Sequence, residues 1–178
     1  MVEELIIAGF GGQGVMVMGQ ILSYAGMHEG KNVSWIPSYG PEMRGGTANC
    51  SVVVSDEPIA SPIVTEPTTA IVMNRPSLDR FEPMVQPGGL LIYNSSLIDR
   101  APERTDIRVI AVPANELGEE VGSDKVANMV VLGAYIKARG TVSFETVGQC
   151  LAEVLPARRH DLIPLNLEAL KRGAELVK

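Results

Sequence analysis

An α/β fold is what this sequence predicts: a single domain over residues 1–178, built as a doubly wound, mostly parallel, Rossmann-like sheet with one antiparallel strand insertion and helices at the C-terminal end. Three observations carry the prediction. Short apolar runs alternate with longer stretches of helical periodicity through most of the chain, the pattern of parallel strands joined by covering helices. The first strand and first helix are joined by Gly9-Phe10-Gly11-Gly12-Gln13-Gly14, a glycine turn of the kind that lets a strand pass tightly into a helix. Finally, 178 residues with 46% apolar side chains suit one core, at roughly 100–200 residues per domain.

The elements follow in order. Glu4–Ala8 is a short strand run, and Val15–His28 is helical, with Val15, Met18, Ile21, Leu22 and Ala25 at three-and-four spacing and Gly30 as a stop. Val33–Ile36 is a second strand, which Pro37 should close. Thr47–Ser55 alternates, with Ala48, Cys50, Val52 and Val54 on one face, as a half-buried antiparallel strand does. Thr69–Met73 and Leu90–Tyr93 are apolar strands on either side of a short helix over Pro76–Met84, which has Pro at its first turn. Val109–Val112 is the last strand. Asp124–Arg139 is a helix that Ser123 can cap and Gly140 can end. Ser143–Leu155 and Pro164–Val177 are the final helices.

Composition excludes several function classes. Apolar content at 46% with only 20% charged residues is incompatible with intrinsic disorder. The formal net charge is −6, and the densest basic stretch is Arg158-Arg159-His160. No nucleic-acid partner is expected, because neutralised phosphates supply most of that affinity. No apolar run approaches the ~18 residues of a membrane span, and the first residues lack the basic start and cleavage site of a signal peptide. No membrane partner and a cytoplasmic location are therefore expected. The two cysteines, Cys50 and Cys150, form no C-x-x-C pair, and His28 and His160 stand far apart. The chain cannot supply the roughly four thiolates of an iron–sulfur cluster. No zinc-ligand spacing is visible in it, so no metal ligands are assigned. Both thiols suit a core, and no Ser, His and acid grouping suggests a nucleophilic triad.

Two segments can carry chemistry. Gly9, Gly11 and Gly14 stand where backbone N–H groups at a helix N-terminus can meet a phosphate. The same glycines can instead serve strand–helix packing alone. A dinucleotide also needs an acid at the end of the second strand, about 20 residues on, to hold the ribose. That strand ends at Ile36-Pro37-Ser38, with no acid before Glu42. NAD and NADP are therefore expected to bind no better than millimolar. The second segment is Ser38–Gly46, stiffened by Pro37 and Pro41 and opened by Gly40, Gly45 and Gly46. Arg44 can hold a carboxylate or phosphate with two prongs, or it can pair with Glu42 within the loop. Asn74 and Asn94 each follow a strand, where they can face the same crevice or cap the chain. Asn128 lies inside an apolar helix and needs partners.

Gly9-Phe10-Gly11-Gly12-Gln13-Gly14 together with Pro37-Ser38-Tyr39-Gly40-Pro41-Glu42-Met43-Arg44-Gly45-Gly46 resembles the gamma subunit of 2-oxoacid:ferredoxin (acceptor) oxidoreductases. The 2-oxoglutarate and branched-chain types are nearer than the pyruvate type. Asn74-Arg75-Pro76-Ser77, Pro87-Gly88-Gly89, and Asn128-Met129 followed by Leu132-Gly133 extend the likeness from the first strand through the long helix. The resemblance implies an accessory subunit without a catalytic residue. Its partners would be alpha, beta and a ferredoxin-like delta subunit, with ferredoxin as acceptor. The complex would use thiamine diphosphate, Mg2+, iron–sulfur clusters and coenzyme A, none held by this chain alone. Gly9, Gly11, Gly12, Gln13, Gly14, Glu42, Arg44, Gly45, Gly46 and Asn74 would then line the shared cofactor cleft. The beta subunit of an indolepyruvate enzyme, a stand-alone nucleotide-binding oxidoreductase and a scaffold domain are the alternatives. The isolated chain should be colourless and inactive, and should self-associate through the apolar area that partners would otherwise cover.

Overall fold

The computed structural model describes residues 1–39 and 47–178. Glu42, Arg44, Gly45 and Gly46 lie outside the described residues. The six described strands are β1 (Val2–Phe10), β2 (Asn32–Tyr39), β3 (Thr47–Ser55), β4 (Thr69–Val72), β5 (Leu90–Asn94) and β6 (Arg108–Val112). They form one sheet in the order β2-β3-β1-β4-β5-β6. β1, β4, β5 and β6 run parallel, and β3 is antiparallel to both β1 and β2. The mixed α/β sheet with one antiparallel insertion is the predicted architecture.

The pleat divides the apolar side chains between two cores. Leu5, Ile7, Ile71, Leu90 and Ile92 face the larger core, whereas Ile6, Ala8, Ala70, Val72 and Leu91 face the smaller one. Central parallel strands buried on both faces read as continuous apolar runs for this reason. The larger core is covered by α1 (Val15–His28), α4 (Ala127–Arg139), α5 (Phe144–Val154) and α6 (Ile163–Glu175), with α3 (Ala114–Val121) beside them. The smaller core lies under α2 (Arg75–Phe81), whose Leu78 and Phe81 pack beside Val85 and Ile98. Helices on opposite faces make the sheet doubly wound, with one face covered far more thickly. Among the described residues no helix is long and apolar enough to cross a membrane.

Several element boundaries differ from the sequence prediction. Pro37 does not close the second strand; β2 continues to Tyr39, with Pro37 opposite Cys50. β2 is an edge strand, where a missing N–H can face away from the sheet without cost. The helix expected over 76–84 is α2 followed by a 3-10 turn, Glu82–Met84, because Pro83 lacks the N–H to continue it. The helix expected over 124–139 likewise begins with a 3-10 turn, Asp124–Val126. Ser123 caps that turn, its Oγ accepting from the Lys125 N–H at 3.2 Å. α3 and a 3-10 segment, Ala157–Leu162, are additional elements.

α4 and α6 cross with their backbones in contact. A Cβ on Gly133 would run into the Leu170 carbonyl, and one on Gly173 into the Val130 carbonyl. At the far end of α4, Arg139 Nε donates to Glu3 Oε1 at 3.1 Å and Arg139 Nη2 to the Thr68 carbonyl at 3.0 Å. These bonds tie α4 to the N-terminal ends of β1 and β4.

Candidate functional site

β1, β4, β5 and β6 run parallel, so their C-terminal ends share one edge of the sheet, and open α/β sheets bind ligands outside that edge. The residues flanking 40–46 belong to the same edge, since Thr47 pairs with Phe10 and Tyr39 with Ala48. The strand order reverses between β1 and β4, where a crevice is expected.

In this molecule a side chain closes that crevice. Gln13 Oε1 accepts from the Phe10 N–H at 2.6 Å, and Gln13 Nε2 donates to the Met73 carbonyl at 3.3 Å. Gln13 thus latches the glycine turn across the end of β1 to the residue after β4. The glycines divide into distinct roles around it. A Cβ on Gly9 would lie 2.9 Å from Met73 Cβ and against Gln13 Oε1, so Gly9 leaves space for the latch. Gly14 is the N-cap of α1 in left-handed backbone, φ 73°, and a Cβ there would collide with the Asn128 amide. Gly12, at φ 93°, has open space around it. It borders three adjoining recesses, and Gly11 lines one of them beside Thr47 and Ala48.

The largest recess is a groove of about 590 Å³ between the glycine turn, the start of α4 and the C-terminal segment. Val17, Val126, Leu155 and Leu165 give it apolar walls, with Lys125 and Arg159 as its cations. Asn128 ties α4 to the turn, its Nδ2 donating to the Gly14 carbonyl at 3.4 Å while its Oδ1 accepts from the Met129 N–H at 3.0 Å. Asn94 is fully buried. Its Nδ2 donates to Asn115 Oδ1 at 2.8 Å, and its Oδ1 accepts from the Ser96 and Ala114 N–H groups. It secures the neighbouring recess of about 180 Å³. Asn74 is the N-cap of α2, its Oδ1 accepting from the Ser77 N–H at 2.9 Å. Its buried Nδ2 has no partner among the described residues.

The structure therefore brings Gly11, Gly12, Gln13 and Gly14 to one open edge and sets Gly9 and Asn74 just beneath it as packing and capping residues. Sequence reasoning missed Lys125 and the cleft-side position of Arg159. The only signals were a lysine in a predicted first turn and a short basic stretch. In a dinucleotide fold the strand that carries the ribose-binding acid lies next to the first. Here β3 intervenes, so the end of β2 stands one strand further from the turn, about 4.8 Å.

The site carries no activated nucleophile among its described residues. Burial pushes the Cys50 thiol up to about 12 and the Cys150 thiol up to about 11. Both stay protonated at neutral pH, and neither lines the groove. What the edge offers is an apolar trough with two cations beside the N-terminus of α1, which has no side-chain cap among the described residues. That suits a partner surface or an anionic group rather than bond-making chemistry.

Residues 4–176 match the family model described as pyruvate ferredoxin/flavodoxin oxidoreductase. The chain belongs to that family. Among its relatives is the ketoisovalerate oxidoreductase subunit VorA of Methanothermobacter marburgensis. The two are 39% identical over 169 residues, which are 95% of this chain and 35% of that protein. The chain thus spans about a third of that relative's length. The 2-oxoglutarate synthase subunit KorC of Methanocaldococcus jannaschii is 32% identical over 180 residues, covering 99% of this chain and 94% of that protein. Among solved structures, the gamma subunit of keto/oxoacid ferredoxin oxidoreductase from Geobacter sulfurreducens superposes with a TM-score of 0.83 at 28% identity. That match covers 98% of this chain and 97% of the other. The family fold and the sheet derived above from residue pattern are one and the same.

Proposed function

We propose that this chain is the accessory gamma subunit of a multisubunit 2-oxoacid:ferredoxin oxidoreductase, closing one side of a cleft whose catalytic groups its partners hold. The observation that carries this is the near end-to-end match to a separate subunit of a 2-oxoacid enzyme, combined with an edge that lacks a reactive side chain among its described residues. In such a complex thiamine diphosphate with Mg2+ supplies decarboxylation of the 2-oxoacid, iron–sulfur clusters carry the electrons to ferredoxin, and coenzyme A takes the acyl group. The residues of this chain do not fit a cluster. Cys50 packs against Gly19 and Trp35, Cys150 lies between α5 and the end of α1, and two thiols fall short of the roughly four required. The partners are then alpha, beta and a ferredoxin-like delta subunit.

Within that assembly, the Gln13 latch and the Asn128 bridge hold the glycine turn rigid as a docking edge. Lys125 and Arg159 meet acidic or phosphate-bearing groups there. Glu42, Arg44, Gly45 and Gly46, which lie outside the described residues, are assigned to the same cleft by the motif they form in the sequence. The higher identity to a ketoisovalerate subunit supports 2-oxoisovalerate as substrate, then 2-oxoglutarate, ahead of pyruvate or indolepyruvate. The isolated chain would be inactive and would self-associate.

The test is co-expression with the neighbouring subunit genes, followed by CoA-dependent reduction of ferredoxin with each of the four 2-oxoacids. Activity should require this chain and be highest with 2-oxoisovalerate or 2-oxoglutarate. An unchanged rate when the chain is omitted would overturn the proposal. In the assembled enzyme, Arg44→Lys keeps the charge and loses the planar fork. It should weaken turnover or assembly by about 1.5–3 kcal/mol, the value of a charged hydrogen bond. Full activity and intact assembly in Arg44→Ala would remove Arg44 from the site.

A further inference from the structure

Away from the glycine turn, the helical face brings together a second set of chemistry-bearing side chains. His28 is the last residue of α1, and Cys150 and Glu153 stand three positions apart in α5, a spacing that puts both on one helix face. His28 Nε2 lies 2.7 Å from Glu153 Oε1. One ligand atom from each of the three residues lies within 4.8 Å of the others, and among the described residues no other three His, Cys, Asp or Glu converge in this way. Cys150 is buried, whereas His28 and Glu153 are 49% and 42% exposed. Two half-exposed side chains, paired with each other, thus stand beside an enclosed thiol.

The helices that carry these groups are held together independently of them. Glu29 Oε1 accepts from the Ser143 N–H at 2.8 Å, and Lys31 Nζ donates to the Thr141 carbonyl at 2.6 Å. The surroundings favour a cation. Glu29 and Glu153 both act on Cys150 electrostatically, and the carbonyl end of α1 adds partial negative charge.

We propose that His28, Cys150 and Glu153 bind a zinc-type divalent cation that cross-links α1 to α5, with water as the fourth ligand. Zinc distances of about 2.0–2.3 Å to N, O and S put donor atoms roughly 3–4 Å apart, a small adjustment for two exposed side chains. A thiolate with an imidazole selects zinc-like ions over Mg2+ or Ca2+. None of the three residues lines the groove at the glycine turn, so the site is structural and does not depend on the complex proposed above.

The test is a titration of the untagged full chain with Co2+ as probe, followed by displacement with Zn2+. Wild type should develop a thiolate-to-cobalt charge-transfer absorption and the strong visible bands of tetrahedral coordination at one equivalent, and Zn2+ should abolish them. Cys150→Ser should lose the charge-transfer absorption, and Cys50→Ser should retain it. His28→Gln and Glu153→Gln alter exposed positions and leave the fold intact. Each should weaken Co2+ binding at least about tenfold and remove the Zn2+-dependent rise in Tm. Absence of charge transfer in wild type, or undiminished affinity in both His28→Gln and Glu153→Gln, would overturn the proposal.

Discussion

Gly133→Ala tests how the wall of the candidate cleft is held. α4 and α6 meet through reciprocal glycines, and a Cβ on Gly133 would sit against the Leu170 carbonyl, 2.7 Å from its carbon and 2.9 Å from Leu170 Cα. These are backbone atoms, so no side-chain rotation can relieve the contact and the helices must separate. Overpacking of a core costs about 1–3 kcal/mol, and a backbone collision belongs at the upper end. Alanine recovers about 1 kcal/mol of helix propensity over glycine. The net loss is then about 2 kcal/mol, which lowers Tm by roughly 4–8 °C in a chain of this size. Gly148→Ala in α5 is the matched control, since its Cβ would meet only the Leu167 methyl at 3.1 Å. That variant should melt at or above wild type. Because Gly173→Ala forces the same separation, the double variant should lose less than the sum of the singles. Calorimetric melts of wild type and the four variants decide the matter. A Gly133→Ala Tm equal to or above wild type would refute the packing argument. Since α6 carries Leu165 and Asn166 to the groove, the same variant should also weaken assembly with the partner subunits.

Three further outcomes can be checked on the isolated chain. Burial pushes the Glu82 carboxyl up, but the backbone N–H of Arg104, the Arg100 guanidinium and the backbone N–H of Glu103 together hold it below its ordinary 4.5. Its stabilisation is therefore full above pH 4.5 and is lost as the pH falls through the lowered value. Glu82→Gln should cost about 1.5–3 kcal/mol at pH 7, and denaturant titrations should show that gap closing in acid. Calorimetry should give no micromolar binding of NAD or NADP, because no acid follows the second strand before Glu42 and β3 separates that strand from β1. Micromolar affinity in wild type would sink that argument. Replacing Asn128 with alanine should cost up to about 1 kcal/mol, the usual worth of a neutral hydrogen bond, measured as a fall in denaturation midpoint.

The strands and most helices were legible because each element's apolar residues keep one period. Val15–His28 and Thr47–Ser55 match their predicted bounds, the first by three-and-four spacing and the second by alternation. α3 was not legible. It has no capping side chain, its buried face is only Ala114, Leu117 and Gly118, and Glu116, Glu119 and Glu120 make it read as polar loop. Pro37 misled because a single sequence does not reveal that its strand lies at an edge. At the site, the glycine turn was visible as a motif, but the division of labour within it was not. That Gly9 yields to Gln13 and Gly14 to Asn128 depends on residues brought in from across the fold. The meeting of His28 with Glu153, 125 positions apart, has no local signal at all.

The sheet's division of the interior into a thick and a thin layer also sets which parts of the molecule open first. On the thin side, α2 has seven residues, and the outermost strand, β6, leaves Arg108, Val109 and Ala111 exposed. Opening there exposes little apolar surface and leaves the β1–β3 pairing and the α4–α6 crossing untouched. Local unfolding of such a unit takes less free energy than unfolding the whole. Backbone amides of α2 and β6 should therefore exchange with solvent deuterium well before those of β1, β3 and α4. A protease should reach residues 95–107 while the glycine turn is still folded. Loss of the thin layer would release Asn74, which caps α2, and leave Gly12, Gln13 and Asn128 in place. The two sides of the docking edge thus differ in lifetime as well as in chemistry.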